Sequence, residues 1–530
     1  MRYRVEGPLG EGGMGRVLRA FDLELERPVA LKRSRRHDPQ DLLRFKREFR
    51  GVASLEHPGL VKLYELGSDD EGLYYTMEPI LGSDLAGYCA GRGDRLLQVL
   101  PQLLDALVFL HANGIVHCDL KPANVLVSND GALKLVDFGV LAELSGAREA
   151  RVGGTPAYMA PERTRGEPPA PASDAYSLGC TIYDVLAGRP PFAGSLTDVI
   201  EAHRSQAPER LRTLAPRAPQ ALDDLCMALL EKDPARRPDL AAVGQRLFGA
   251  RPRATSTAPA RALIGRDALL ARVDALLEPG RLVVLTGATG VGKSALLAHV
   301  CARAADTLVL RSGSRAAEHL PYNALDAAMD ALAQALPADV DARALRLAAQ
   351  AFPVLRAHAV TVDDARERAR QAIFGFKEEL RGRTRREVFD ALAHVMERAG
   401  AGRSVLLAID DLQWADADSL ALLDHLLRAT SARAIAVLRD DAGESEAHAW
   451  LRARGPAAAA VDVPPLPVEA ICDLIRNVAS AYGTPPDDEA VARAAERCAG
   501  RPFLAEVAGT TLARGAPSAL DDVVRDSLAT

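Results

Sequence analysis

Aromatic side chains are scarce in this chain, at 5% of 530 residues, with only two Trp. The cores must therefore be built from aliphatic residues, and the heavy use of Ala, Leu and Arg predicts abundant helix in the second half. The seven cysteines are scattered and form no CxxC pair. That excludes a disulfide framework or a zinc site and predicts reduced, buried thiols in a cytoplasmic protein. No excess of positive charge exists, the formal net charge being −6, so neither nucleic acid nor an acidic membrane is expected as a partner. No apolar run of about 18 residues stands out, so no membrane span is expected. Met1 leads straight into a strand-like segment, with no basic-then-apolar leader. What remains is 48% apolar and 26% charged residues, an ordinary globular composition. A chain of this length predicts two to four domains, a multidomain protein of unknown oligomeric state.

The chemistry concentrates first in HCDLKPAN, His117 to Asn124. This loop follows an amphipathic run and precedes an apolar alternation. Within six residues it carries a carboxylate, an ammonium and a carboxamide. Phosphoryl transfer calls for this set. Asp119 is suited to accept a hydroxyl proton, Lys121 to screen a γ-phosphate, and Asn124 to hold a metal ion. A polar turn of no chemical consequence remains the alternative for the octapeptide alone.

Further motifs follow in order along residues 3–248. RYRVEGPLGEGGMGRVLRAFD reads as strand, glycine-rich turn, strand. Its segment Leu9, Gly10, Glu11, Gly12, Gly13, Met14, Gly15, Arg16 and Val17 contains GxGxxG, whose missing Cβ atoms let backbone close over phosphates. Dinucleotide-binding folds share GxGxxG, but they continue as a helix, whereas VLRAF continues as a strand. PVALK ends a short strand at Lys32. Residues 42–55 have helical spacing, with Glu48 placed to pair with Lys32. LYYTMEPILG is similar to the hinge of protein kinases, which implies Met77 behind the adenine and the backbone of Glu78 to Ile80 at its edge. Val17, Ala30 and Leu126 are placed to sandwich the ring. DFG begins at Asp137, a second metal ligand, and GGTPAYMAPE ends in Glu162.

Together these motifs resemble the Hanks-type, or eukaryotic-like, Ser/Thr protein kinases, in particular their bacterial members. The resemblance implies a bilobal α+β kinase fold using ATP and Mg²⁺ to phosphorylate Ser or Thr of protein substrates. By the resemblance Asp119 is the base and Lys32 contacts the α- and β-phosphates. Thr155 steadies Asp119 and Lys121. Asp174 caps the central helix and ties the catalytic loop, and Arg237 pairs with Glu162. One position departs from the family pattern: Cys118 stands where an Arg usually precedes the catalytic Asp. That Arg commonly binds a phosphate on the activation segment, and between Asp137 and Thr155 the single hydroxyl is Ser145. Activity without activation-segment phosphorylation is therefore expected, unless Arg148 or Arg151 substitutes for the missing Arg.

GARPRATSTAPARAL reads as a linker, and 249–261 is taken as that boundary. RLVVLT then reads as a buried strand, GATGVGKS as GxxxxGK[ST], and ALLAHVCARAA as a helix. In that context Gly287, Ala288, Thr289, Gly290, Val291 and Gly292 form a phosphate cradle, Lys293 reaches the β- and γ-phosphates, and Ser294 binds Mg²⁺. SVLLAIDD places Asp410 in the metal shell and Asp411 near an attacking water. Arg439 ends the strand AIAVLR, where the AAA-related ATPases that this stretch resembles often carry a phosphate-sensing residue. Residues 315–400 read as a helical insertion without chemistry. IGR at 264–266 and CAGRPFLAEV resemble AAA-related STAND signalling ATPases. The expected division is a kinase domain 1–248, an α/β P-loop ATPase domain 262–455, and a helical extension 456–530 beginning a winged-helix segment. STAND proteins usually continue into repeats, so the chain is expected to be a fragment. The combined reading is a Ser/Thr kinase with a nucleotide-binding regulatory module that hydrolyses ATP slowly. The alternative is a nucleotide-switched scaffold with a vestigial kinase domain.

Overall fold

The structure, a computed structural model, describes every residue except 1, 13–14, 35–38, 54, 70, 139–141, 144–153, 250–262, 305, 338, 359–383, 441–442, 482–486 and 514–530. The chain divides into two compact units, Met1–Pro259 and Ala260–Thr530. Most of the expected linker, the activation-segment positions Ser145, Arg148 and Arg151, and the C-terminal segment after 513 lie outside the described residues.

The first unit opens with antiparallel strands β1 (Tyr3–Gly12), β2 (Gly15–Asp22) and β3 (Arg27–Ser34). Helix α1 (Pro39–Val52) follows, then β4 (Leu63–Asp69) and β5 (Gly72–Met77). These strands pair in the order β1-β2-β3-β5-β4. Alternation along β3 sends Val29 and Leu31 to one face, where they pack with Leu18 and Ala20. Ala30 and Lys32 point to the other, opposite Met77 and Tyr75 of β5. Phe45 and Phe49 of α1 lie against Tyr75, with ring centroids 5.0 and 5.9 Å away. The apolar spacing of α1 is thus used to seat the helix on the Lys32 face.

The rest of this unit is mostly helical. Strand β6 (Gly82–Asp84) leads into a short helix, Leu85–Cys89, capped by the Asp84 side chain. Helix α2 (Gly93–Ala112) is apolar enough and long enough to cross a membrane by composition alone, which the sequence reading did not anticipate. Leu96, Leu100, Leu103 and Leu107 are buried in the unit, so it serves here as a core helix. Short strands follow: β7 (Ile115–Val116), β8 (Val125–Ser128), β9 (Leu133–Leu135) and β10 (Ala142–Glu143). β6, β8 and β9 form one ribbon, and β7 pairs with β10. The catalytic-loop sequence therefore spans the gap between β7 and β8. Helix α3 (Pro171–Ala187) is buried nearly all round, as its apolar run requires. Its N-cap is Ala170, with Pro171 in the first turn, so Asp174 does not cap it as expected. Asp174 is one turn further in and fully buried.

The second unit holds a five-stranded parallel sheet. Its strands are β11 (Leu282–Thr286), β12 (Thr307–Gly313), β13 (Ser404–Asp410), β14 (Arg433–Val437) and β15 (Ala458–Asp462). They pair in the order β12-β13-β14-β11-β15. Helix α4 (Lys293–Arg303) follows β11. Helices 323–335, 342–348 and 385–400 pack on one face of the sheet and α4 on the other. Both faces are covered, which explains the continuous apolar strands. β15 comes from the segment read as helical extension. Its alanines favour helix, but pairing along β11 makes them an edge strand. Helices 468–481, 488–497 and 502–513 form a separate cluster around Ile471, Ile475 and Leu504.

Candidate active site

In the first unit β3 delivers Lys32 and α1 delivers Glu48. Lys32 Nζ donates to Glu48 Oε1 at 2.6 Å and to Asp137 Oδ1 at 2.9 Å. The Lys32 and Glu48 side chains are 6% and 1% exposed, and that of Asp137 is 36% exposed, so only the last opens to a ligand. Burial opposes the charge on Lys32, but the field of Tyr75, Glu48 and Asp137 outweighs it and holds the ammonium well above the ordinary lysine value. Asp137 is also desolvated, yet Lys32 keeps its carboxyl below the usual range. Burial pushes Glu48 upward against the pull of Lys32. Tyr75, to which the sequence reading gave no role, donates its hydroxyl to the same Glu48 oxygen at 2.6 Å.

The catalytic loop is held from α3. Asp174 accepts from His117 N and Cys118 N, each at 2.9 Å, and lies 2.8 Å from His111 Nε2. These bonds fix the turn in which Cys118 takes φ +65°; Asp137, in the segment after β9, takes φ +63°, and both are uncommon for non-glycine residues. Asp119 is then surrounded by donors. Thr155 N donates to Oδ1 at 2.7 Å, Lys121 Nζ to Oδ2 at 2.8 Å, and Asn124 Nδ2 to Oδ2 at 3.2 Å. Lys121 Nζ also donates to Thr155 Oγ1 at 2.8 Å. Three residues named from sequence, Thr155, Lys121 and Asn124, thus converge on the carboxylate of a fourth, Asp119. Asn124 uses its Nδ2 on Asp119, including the backbone oxygen at 2.8 Å, which turns its oxygen away from that contact as an acceptor. That oxygen and the Asp137 carboxylate are hard ligands suited to Mg²⁺, an ion often held by one or two protein oxygens plus phosphates.

The expected nucleotide site is framed by the strands. Gly10 pairs with Val17, Glu11 with Arg16 and Gly12 with Gly15, so the glycine-rich turn closes the β1–β2 hairpin. Gly13 and Met14 lie outside the described residues. A Cβ at Gly15 would stand 2.5 Å from Arg33 O, so close backbone approach requires glycine there. Leu9 is half exposed on β1, Val17 and Leu126 are half-buried, and Ala30 and Met77 are buried partners across β3 and β5. At the hinge Glu78 N donates to Lys62 O at 2.9 Å. That bond takes the Glu78 N–H out of the expected contact between a base edge and the backbone of Glu78 to Ile80. The Glu78 side chain binds Lys134 Nζ at 2.6 Å and Lys62 N at 2.8 Å, which pins the hinge to neighbouring backbone. Below the site, Arg237 binds both Glu162 oxygens at 2.7 and 2.8 Å with its side chain 0% exposed.

In the second unit the loop Gly287–Gly292 joins β11 to α4, the strand–loop–helix context of a phosphate cradle. Gly287, Gly290 and Gly292 all have positive φ. At Gly287 a Cβ would meet Val463 O at 2.8 Å as well. Lys293 Nζ donates to Gly287 O at 2.6 Å and Ala288 O at 2.8 Å, curling back within the loop. Ser294 Oγ donates to Asp410 Oδ1 at 3.0 Å, which joins the two expected metal ligands. Burial and the neighbouring Asp411 raise the Asp410 pKa. Asp411 is engaged: Arg439 Nε and Gln413 Nε2 each donate to its Oδ1 at 2.9 Å. The expected water-polarising carboxylate and the expected phosphate sensor are therefore paired with each other here. Arg266, from the IGR segment, donates to Val291 O at 3.0 Å and Pro464 O at 2.6 Å, linking the cradle to the residues after β15.

Comparison with known proteins agrees with this division. Residues 3–248 match the protein kinase domain family and 262–438 the AAA ATPase domain family. Serine/threonine-protein kinase PrkC of Bacillus subtilis is 33% identical over 247 residues, covering 44% of this chain and 38% of PrkC. PknB of Mycobacterium tuberculosis is 36% identical over 258 residues, 46% of this chain and 41% of PknB. PknL of the same organism is 37% identical over 253 residues, 44% of this chain and 62% of PknL. The match thus spans less than two thirds of each of these relatives. The chain carries a Hanks-type protein kinase domain followed by an AAA ATPase domain.

Proposed function

We propose that this kinase–ATPase chain transfers the γ-phosphate of ATP to serine or threonine hydroxyls of a protein substrate, under control of a second nucleotide site. The observation that supports it best is Asp119, a carboxylate gripped by Thr155 N, Lys121 and Asn124 beside the Lys32–Asp137 pair. The donors orient Asp119 so that one oxygen can take the proton of an incoming hydroxyl as the phosphoryl group leaves ATP. Lys121 is placed to screen the transferred group. Lys32 binds the α- and β-phosphates, and Glu48 keeps its ammonium aimed. A Mg²⁺ ion at Asp137 and Asn124 would supply electrostatic stabilisation of the phosphates. Lys121 bridging Asp119 and Thr155 supports Ser/Thr rather than Tyr specificity.

The second site takes ATP and Mg²⁺ through Gly287–Ser294 and Asp410. With Asp411 engaged by Arg439, that site holds nucleotide longer than it hydrolyses it, which suits a regulatory module. The seven unpaired cysteines support a cytoplasmic location for the described units. Intact Lys32, Glu48, Asp119, Asn124 and Asp137 weigh against a vestigial kinase domain. The experiment is incorporation of label from γ-labelled ATP into a generic acceptor such as casein, with Asp119→Asn beside wild type. Equal inertness of both proteins would favour the scaffold reading.

A further inference from the structure

We infer that Tyr75 is a positioning residue of the phosphotransfer site: its hydroxyl fixes Glu48, and through Glu48 the ammonium of Lys32, from strand β5. The inference rests on the kinase reading above and adds a residue to it. Tyr75 stands directly across from Lys32 in the β3–β5 ladder, so both side chains rise from the same face. Its hydroxyl donates to Glu48 Oε1 at 2.6 Å, and Lys32 Nζ donates to that same oxygen at 2.6 Å. Among the described residues the other oxygen, Oε2, is buried with no hydrogen-bond partner. Oε1 therefore takes both of these bonds, and Tyr75 provides one of its two donors.

The consequence follows from where Lys32 can go. Its ammonium lies 2.6 Å from Glu48 and 2.9 Å from Asp137, so two carboxylates compete for it. Asp137 is the more open of the two and is the expected metal ligand. A slack Glu48 would release Lys32 toward Asp137 and away from the α- and β-phosphates. The Tyr75 hydroxyl opposes that by holding Glu48 within reach of Lys32. Its ring adds a second attachment, because Phe45 and Phe49 of α1 pack on it. Strand β5 thus grips α1 by both packing and a charged hydrogen bond. This grip is made by side chains of strand β5 and α1 themselves. It supplies, for a chain with Cys118 before its catalytic Asp, an attachment of Glu48 that needs no phosphate on the activation segment.

Tyr75→Phe in the full chain tests this, because it keeps the ring and removes the hydroxyl. Transfer to casein is measured as kcat and the KM for MgATP. MgATP binding at the kinase site is measured separately in the Lys293→Ala chain. The inference predicts a loss of about tenfold in kcat/KM, carried partly by a raised KM, and a matching rise in the MgATP Kd. Tyr75→Leu, which also loses the contacts to Phe45 and Phe49, should fall further. If Tyr75→Phe matches wild type within about twofold in kcat, KM and Kd, the hydroxyl does not position Glu48 and the inference fails. If kcat falls only in step with the folded fraction while KM and Kd stay fixed, the role is structural and the inference also fails. Should wild type bind MgATP yet transfer no phosphate, the kinase reading falls, and a weakened Kd in Tyr75→Phe still upholds the Tyr75–Glu48–Lys32 linkage.

Discussion

Lys32 and Asp137 are 105 residues apart in sequence, yet Nζ and Oδ1 meet at 2.9 Å. The contact joins strand β3 to the segment after β9, so the proposed phosphate-binding cation and the proposed metal-binding carboxylate are held against each other. Lys32→Met removes the cation and leaves Glu48 and Asp137 facing one another. Phosphotransfer should fall to background while the unit stays folded, read by label incorporation beside a calorimetric melt. Retention of near-wild-type rates would remove Lys32 from the site.

The ion pair between Glu162 and Arg237 makes a prediction about stability alone. Both side chains are essentially inaccessible, and Arg237 spends further donors on Glu231 O, Lys232 O and Ala172 O. Removing one partner strands a buried charge, which costs about 3–5 kcal/mol. Arg237→Ala should lower the melting temperature of the kinase unit by many degrees. An unchanged melt would mean that the pair is not buried in solution.

A pH effect follows from His203. Burial, with the nearby Lys232 adding to it, pulls the imidazole from 6.5 down to about 4. Its Nδ1 lies 2.9 Å from the Tyr176 hydroxyl, which in turn accepts from Lys232 Nζ at 3.1 Å, an arrangement that wants neutral His203. The folded pKa lies below the unfolded one, so the unfolded chain binds the extra proton. Stability from this group is present above about pH 6.5 and is lost as pH falls toward about 4, by at most about 3 kcal/mol. Denaturation of the kinase unit across that window should show the slope, and His203→Leu should flatten it. An equal slope in both proteins would place the titrating group elsewhere.

The catalytic loop was legible because its residues lie within a few positions of each other and carry one chemistry. The same holds for Gly287–Ser294. What sequence left obscure depends on contacts between distant elements. Tyr75 sits in the stretch that reads as a hinge, and nothing local tells that its hydroxyl ends on Glu48 of α1. Asp411 and Arg439 were each readable as site residues, but their pairing required the register of β13 beside β14. Glu78 N is taken by Lys62, a partner set by the chain entering β4. The strand Ala458–Asp462 was hidden because an alanine run has helical propensity, and only the open edge of β11 makes it a strand. Asp174 was assigned the right partner and the wrong cap, because Ala170 and Pro171 start the helix earlier.

The second site predicts a stoichiometry. Wild type should bind two MgATP per chain, and Lys293→Ala should bind one while a separated 1–250 fragment keeps its transferase activity. Hydrolysis at the second site should be slow, in keeping with Arg439 on Asp411. Calorimetry showing one site in wild type would contradict a nucleotide-binding module.

Cys118 predicts independence from activation-segment phosphorylation. A neutral thiol is a poor phosphate partner, where an Arg would form charge-assisted bonds. Phosphatase treatment, or Ser145→Ala, should leave the transfer rate unchanged. A large selective loss under either condition would mean that the phosphate switch persists through another cation.

The central claim is that Asp119, held by Thr155, Lys121 and Asn124, serves phosphoryl transfer to protein hydroxyls. Transfer of γ-labelled phosphate to casein by wild type and Asp119→Asn, at equal folded concentration, tests it most directly. The account predicts steady incorporation by wild type on Ser and Thr, and a loss of about a hundredfold or more in Asp119→Asn with MgATP binding retained. Equal incorporation by both proteins, or none by a wild type that binds MgATP under several conditions, would contradict it.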